Sequence, residues 1–266
     1  MRELPNKAGR IEAHYKEDLQ MNRQARAKTR IGVLVPFTNT NLEPDLMLMC
    51  PPDCSLHCQR TGGYDADEVP GSDEMTKLGM FDLSHDLSMI AGARPDAVLY
   101  GCTSATLTHG SEFDRELAMK IETETGAASL TAAGSLVAAI QALGVHRVGF
   151  ASPYVGDIND KAVDFLMQNG IETVKCANIG GNLGCYGQGK LTPDEVYHLA
   201  LKADSPQAEA IILSCTDMRS VEVIEQIEYT LDKPVVTTNQ AMMFCLCMKL
   251  GIPRHPGLPG RLFNLL

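Results

Sequence analysis

Short apolar runs, each ending in a polar tip, recur along the chain, and stretches of helical period lie between them. Ile31-Gly32-Val33-Leu34-Val35-Pro36 is the first such run, and Phe37-Thr38-Asn39-Thr40-Asn41 is its polar exit. Asn39 or Asn41 stands where it can cap a helix over residues 42–49. A second strand is predicted over 56–62, then a loop rich in Gly and Asp over 63–73. One helix is expected over 74–92, stopped by Arg94-Pro95. The apolar run at 97–100 breaks abruptly into Gly101-Cys102-Thr103-Ser104. A helix follows over 112–125, closed by Gly126, then a short strand over 128–131. A small-residue helix over 133–143 is closed by Gly144.

The order then restarts. Arg147-Val148-Gly149-Phe150-Ala151-Ser152-Pro153-Tyr154 matches Arg30-Ile31-Gly32-Val33-Leu34-Val35-Pro36-Phe37 at an offset of 117. The run at 210–213 ends in Ser214-Cys215-Thr216-Asp217, with Cys215 lying 113 positions after Cys102. The strand at Val235-Val236-Thr237-Thr238 and the stop at Gly251 repeat those at 128–131 and Gly144. This is the signature of an internal duplication. Alternating strands and helices imply parallel sheets with right-handed crossovers. The expected fold is therefore α/β: two pseudosymmetric Rossmann-like lobes with the site in the cleft between them. The expected division is a polar arm over 1–29, a first lobe over 30–131 completed by 233–266, and a second lobe over 132–232. Ligands of open parallel sheets bind beyond the carboxyl ends of the strands, so Cys102 and Cys215 should meet in one cleft.

A net charge of -10 argues against a nucleic-acid or acidic-membrane partner. It leaves room for a small anion, because a local site can oppose the global charge. No run approaches the roughly 20 apolar residues of a membrane span, and residues 1–29 carry no apolar leader core. Nine cysteines, an odd number, read as free thiols in a reducing, cytoplasmic compartment. Cys50, Cys54 and Cys58, with His57, have a spacing that invites a metal. Pro51-Pro52 breaks the helix that would align them, so a loop leading into a strand is the simpler reading. Cys245 and Cys247 lie in an apolar helix and read as core.

A thiol is a nucleophile as a thiolate and a proton donor as the acid. Two thiols across a narrow cleft can move a proton between opposite faces of a carbon. Alternatively, one adds to an activated double bond while the other handles the proton. The hydroxyls of Thr103, Ser104 and Thr216 stand where they can hold a carboxylate. Tyr154 has an alternative as a strand-end packing residue, and Asn39 as a helix cap. Arg219 reads as a solvent or interface residue, and Asp217 as a cap on the helix that follows it.

The stretches Val35-Pro36-Phe37-Thr38-Asn39-Thr40-Asn41-Leu42-Glu43, Gly101-Cys102-Thr103-Ser104, Ser152-Pro153-Tyr154 and Ser214-Cys215-Thr216 resemble the aspartate/glutamate racemase superfamily. They are most similar to its maleate cis–trans isomerase and arylmalonate decarboxylase branch, over about residues 30–250. The resemblance implies that Cys102 is the nucleophile and Cys215 the acid/base partner. It implies that Asn39, Tyr154 and, more loosely, Asn182 hold the substrate, while Thr103, Ser104 and Thr216 cradle a carboxylate. The decarboxylase branch lacks the first cysteine, which this chain has. The expected activity is therefore cofactor-independent cis–trans isomerisation of maleate or a similar small dicarboxylate through a cysteine adduct. The alternative is racemisation of an amino acid or related small acid. Decarboxylation of a malonate derivative and non-catalytic binding of a small acid stand behind both. No metal, nucleotide or redox cofactor is called for, and a homo-oligomer, dimer or tetramer, is expected.

Overall fold

The computed structural model describes residues 28–62, 71–180 and 183–266. Almost all of the arm expected over 1–29, most of the 63–73 loop and Asn182 lie outside the described residues. Eight strands form two four-stranded sheets, and every pairing is parallel. The first holds β1 (Thr29–Pro36), β2 (Cys54–Thr61), β3 (Ala97–Tyr100) and β4 (Ala128–Thr131), in the order β2-β1-β3-β4. The second holds β5 (Arg147–Ser152), β6 (Glu172–Asn178), β7 (Ala210–Leu213) and β8 (Val235–Thr237), in the order β6-β5-β7-β8. The helices are α1 (Leu42–Met49), α2 (Ser72–Gly79), α3 (Ser84–Ala91), α4 (Thr103–Leu107), α5 (Ser111–Thr125), α6 (Ala132–Ala142), α7 (Gly156–Gln168), α8 (Gly184–Gly187), α9 (Pro193–Ala203), α10 (Ile224–Leu231) and α11 (Thr238–Leu250).

The duplication read from the sequence holds at the level of register. Ile31 pairs with Ala97 as Val148 pairs with Ala210, preserving the offsets of 117 and 113. The polar ends repeat as well. The N–H of Arg30 donates to Asp96 Oδ2 at 2.8 Å, and that of Arg147 to Glu209 Oε2 at 3.0 Å. β3 and β7 are buried along their whole length, which explains why they read as unbroken apolar runs rather than alternating ones. Gly126 and Gly251 adopt φ of 69° and 65°, the left-handed stop expected of a helix end.

Two expectations are corrected. The single helix over 74–92 is two, α2 and α3, separated after Gly79. A Cβ at Gly79 would lie 2.6 Å from the His109 ring, and Asp82 Oδ1 takes the Ser84 N–H at 3.0 Å to start the second helix. The strand at 235 does not cross to the first lobe. β8 extends the second sheet beside β7, with Ile211 opposite Val235. Only the helix after it, α11, reaches back to pack on α1 and α6.

That return shapes the core. One continuous cluster joins Ile31, Val33 and Leu99 of the first sheet to Phe150, Ile211 and Leu213 of the second. Leu136 and Ile140 of α6 and Met242 and Leu246 of α11 belong to the same cluster. A smaller cluster, including Leu34, Leu87, Val98 and Ile121, fills the space under α3 and α5. Among the described residues no helix is long and apolar enough to cross a membrane. Cys54 and Cys58 sit on β2, and no group of three or more metal-ligating side chains comes together among the described residues.

Candidate active site

Each sheet changes winding direction at its two central strands, and there the polar tips emerge. β1 and β3 deliver Asn39 and Cys102, while β5 and β7 deliver Tyr154 and Cys215. All four line one cavity, together with Thr103, Ser104 and Thr216. Seven of the eight side chains singled out in the sequence thus share one space; the eighth, Asn182, lies outside the described residues. Cys102 is 7% exposed and Cys215 4%, so both thiols face the cavity but are shielded from bulk water.

Local chemistry sets each tip. Cys102 stands at the start of α4 in an extended conformation, and the Ala105 N–H favours its thiolate. Burial nevertheless pushes the Cys102 thiol up from its ordinary value. Cys215 is pushed up as well, by burial first and then by the adjacent Asp217 carboxylate. The neighbouring Cys102 thiol adds to that rise. The two sulfurs therefore share a direction but not a setting: the Ala105 N–H and Ser104 hydroxyl lie beside Cys102, and the Asp217 carboxylate lies beside Cys215. Cys215 Sγ donates to Gln188 Oε1 at 3.3 Å, and its sulfur accepts from the Asp217 N–H at 3.3 Å.

Tyr154 is carried by a rigid turn. Ser152 Oγ donates to Asn159 Oδ1 at 2.5 Å and accepts from the Tyr154 N–H at 3.1 Å, while Asn159 Nδ2 donates to the Tyr154 carbonyl at 3.1 Å. Burial and the nearby Cys215 thiol push the phenol well above its ordinary value, so it stays a neutral O–H donor. Asn39 does both things read from the sequence. Its Oδ1 accepts the N–H groups of Leu42 and Asn41 at 2.9 and 3.1 Å and so caps α1. Its Nδ2 points the other way and donates to Thr216 Oγ1 at 2.9 Å. Thr103 Oγ1 lines the cavity, buried and without a hydrogen-bond partner. Ser104 Oγ donates to Met75 Sδ at 2.9 Å.

Three features escape a reading of the sequence. Thr216 spends its own hydroxyl proton on the Gly101 carbonyl at 2.7 Å, tying the tip of β7 to that of β3. Asp217 caps the other lobe rather than the helix after it: its Oδ1 accepts the N–H groups of Thr40 and Asn41 at 2.8 and 3.1 Å. Gln188, from the turn at Gln188–Lys190, completes the wall beside Cys215. Only the Gly-rich stretch ahead of Lys190 hinted at that turn. Gly189 packs its Cα against Thr40 and Asp217, where a Cβ would lie 2.9–3.0 Å from their oxygens. Met75, Leu78 and Ile158 supply an apolar side to the cavity. Arg219 takes no part: its guanidinium is exposed and paired with Glu222 at 2.7 Å.

The chain is similar to known proteins. A model of the arylmalonate decarboxylase family, Amdase, matches residues 73–263. The chain is similar to the maleate isomerase of Pseudomonas putida, 23% identical over 241 residues, covering 87% of this chain and 94% of that protein. It is similar also to the arylmalonate decarboxylase of Bordetella bronchiseptica, 28% identical over 239 residues, covering 87% and 92%. It shares its fold with the solved Nocardia farcinica maleate cis–trans isomerase mutant that carries a covalently bound succinylcysteine intermediate. There the TM-score is 0.79 at 23% identity, over 88% of this chain and 98% of that one. With the family match running from the start of α2 to the last residues, this chain belongs to the Amdase, or arylmalonate decarboxylase, family.

Proposed function

We propose that the protein is a cofactor-independent cis–trans isomerase of maleate or a similar small dicarboxylate, acting through an adduct on Cys102. The observation that carries this reading is the pair of thiols in one shielded cavity beside a set of hydrogen-bond donors. The maleate isomerases among its relatives, and the succinylcysteine in one fold neighbour, support the same chemistry.

Rotation about a C=C bond requires that its π bond be broken. Cys102 thiolate adds to one alkene carbon, and the π electrons move through the second carbon onto its carboxylate as an enediolate. Tyr154, Thr103 and the free hydrogen of Asn39 Nδ2 stand where they can donate to that charge. Cys215 lends its proton to the second carbon, leaving a succinyl group on Cys102 joined by a freely rotating single bond. After rotation Cys215 retrieves the proton, the sulfur–carbon bond breaks, and the trans acid leaves with Cys102 again a thiolate. The surroundings of the two thiols support these roles: the Ala105 N–H and the Ser104 hydroxyl favour the Cys102 thiolate, and the Asp217 carboxylate favours a proton on Cys215. Asn182, expected from the family resemblance, belongs to the same proposal as a substrate-side amide. So does self-association, which sedimentation would measure. A reducing cytoplasmic setting keeps the thiols free.

Incubation with maleate, followed by proton NMR in deuterium oxide, tests the reading. Replacement of the maleate signal by that of fumarate is the expected result. Inertness toward maleate together with α-proton exchange in a chiral acid would instead establish racemisation.

A further inference from the structure

Asp45 lies in the middle of α1, buried at 3% exposure, on the face turned toward α11. It does not line the cavity, yet the side chain that it bonds leads there. Asn239 Nδ2 donates to Asp45 Oδ2 at 2.7 Å and also to the Thr216 carbonyl at 3.0 Å, so both hydrogens of that amide are committed. The Thr216 hydroxyl donates to the Gly101 carbonyl at 2.7 Å and accepts from Asn39 Nδ2 at 2.9 Å. Asn39 Oδ1 in turn accepts the Leu42 N–H at the start of the helix that carries Asp45. The bonds thus make a closed loop through α1, α11 and the tips of β7 and β1, and the Thr216 hydroxyl ties the tip of β3 to it. Gly101 and Thr216 are the residues directly before Cys102 and directly after Cys215.

We infer that Asp45 is a positioning residue for the cavity: its carboxylate holds the Asn239 amide that carries Thr216, and through Thr216 it sets the spacing of the two thiol-bearing tips. A buried carboxylate is costly to keep, and packing alone would be served better by an apolar side chain. The inference rests on Cys102 and Cys215 being the reacting pair.

The link is also one that a proton can open. Burial, first, raises the Asp45 carboxyl to about 7. The charged groups that face it are Glu222 and Asp217, which oppose its ionisation, and Arg219, which favours it. Asn239 Oδ1 is buried without a partner. Once protonated, the Asp45 hydroxyl can donate to that oxygen if the amide turns over, and the Thr216 carbonyl then loses its donor. Turnover should therefore fall as pH drops through about 7.

The full-length protein supplies the test in two arms. In the first, which needs no substrate, NMR follows the Asn239 side-chain amide with the backbone amides of Cys102 and Asp217. All three are expected to titrate together near pH 7 in the wild type and to stay flat in Asp45→Asn. In the second, Asp45→Ala should lower kcat on maleate by about 10²-fold, the cost of a misplacement near 1 Å, with KM changed less than about twofold. Asp45→Asn, whose amide oxygen can still accept from Asn239, should recover kcat to within about tenfold of the wild type and lack the acid limb. Amides that do not titrate in the wild type would overturn the inference, as would Asp45→Ala with full kcat or Asp45→Asn with the limb intact. If Asp45→Ala does not fold, Asn239→Ala takes its place under the same criteria. A wild type inert toward maleate would dismiss the substrate, and the NMR arm would then decide the inference alone.

Discussion

Cys102 and Cys215 were legible as a pair because duplication puts them at matched strand ends, but the contrast between their settings was not. It comes from what surrounds each sulfur: the Ala105 N–H and the Ser104 hydroxyl on one side, the Asp217 carboxylate on the other. Cys102→Ala should lower kcat on maleate by roughly 10³-fold or more, as expected for loss of a covalent nucleophile. Cys215→Ser should instead accumulate the Cys102 adduct, seen as a protein mass increased by one maleic acid unit. An unmodified Cys215→Ser protein that turns over normally would remove the two-thiol mechanism. The raised Cys102 thiol carries a pH signature. Its thiolate forms later than that of a free cysteine, so its alkylation by iodoacetamide should keep accelerating above pH 9. A plateau below pH 8 would mean that the cavity favours the thiolate after all.

At the scale of elements, the site depends on how closely strand tips and helix starts approach. A Cβ at Gly101 would lie 2.2 Å from Leu42 Cδ2 and 2.9 Å from the Leu34 carbonyl, so α1 sits hard against the Cys102 tip. Gly101→Ala should cost about 1–3 kcal/mol of stability, the usual price of overpacking, read as a lower urea midpoint. Thr216→Val is nearly isosteric but strips the Gly101 carbonyl and Asn39 Nδ2 of a partner, each loss worth about 1–3 kcal/mol. Asp45 adds a pH dependence whose sign follows from its raised value. The folded chain holds a proton that the unfolded chain sheds near the ordinary 3.8. The stability this proton brings is complete below about pH 4 and is lost as pH rises through about 7. Thermal melts of Asp45→Asn, which has no such proton to lose, should therefore gain on the wild type across that window and run parallel above it.

Over the whole molecule, the two sheets do not behave as separable bodies. Their shared core runs through α6 and α11, and α11 follows a strand of the second sheet yet packs against α1 beside the first. Thr216, Asn39 and Asp217 add polar ties across the cleft. Unfolding in urea should accordingly give coincident transitions by fluorescence of probes placed in each lobe, and a single calorimetric peak. Two resolved transitions would show that the lobes melt independently and that the cavity is a hinge rather than a fixed seam.

Periodicity along the chain determined the order of strands and helices, the duplication and the polar tips, because these follow from which residues share a face within one element. It also pointed to the two thiols, since the tips of parallel strands are where ligands meet an α/β sheet. What it could not reach were partners chosen across space. That β8 stays with the second sheet, that Asp217 caps the opposite lobe, that Gln188 stands beside Cys215, and that Asp45 and Asn239 brace Thr216 are all decided between residues far apart in sequence. Two of these bonds span 176 and 194 positions. A side chain's local pattern says whether it is buried; only the folded chain says which group is there to meet it.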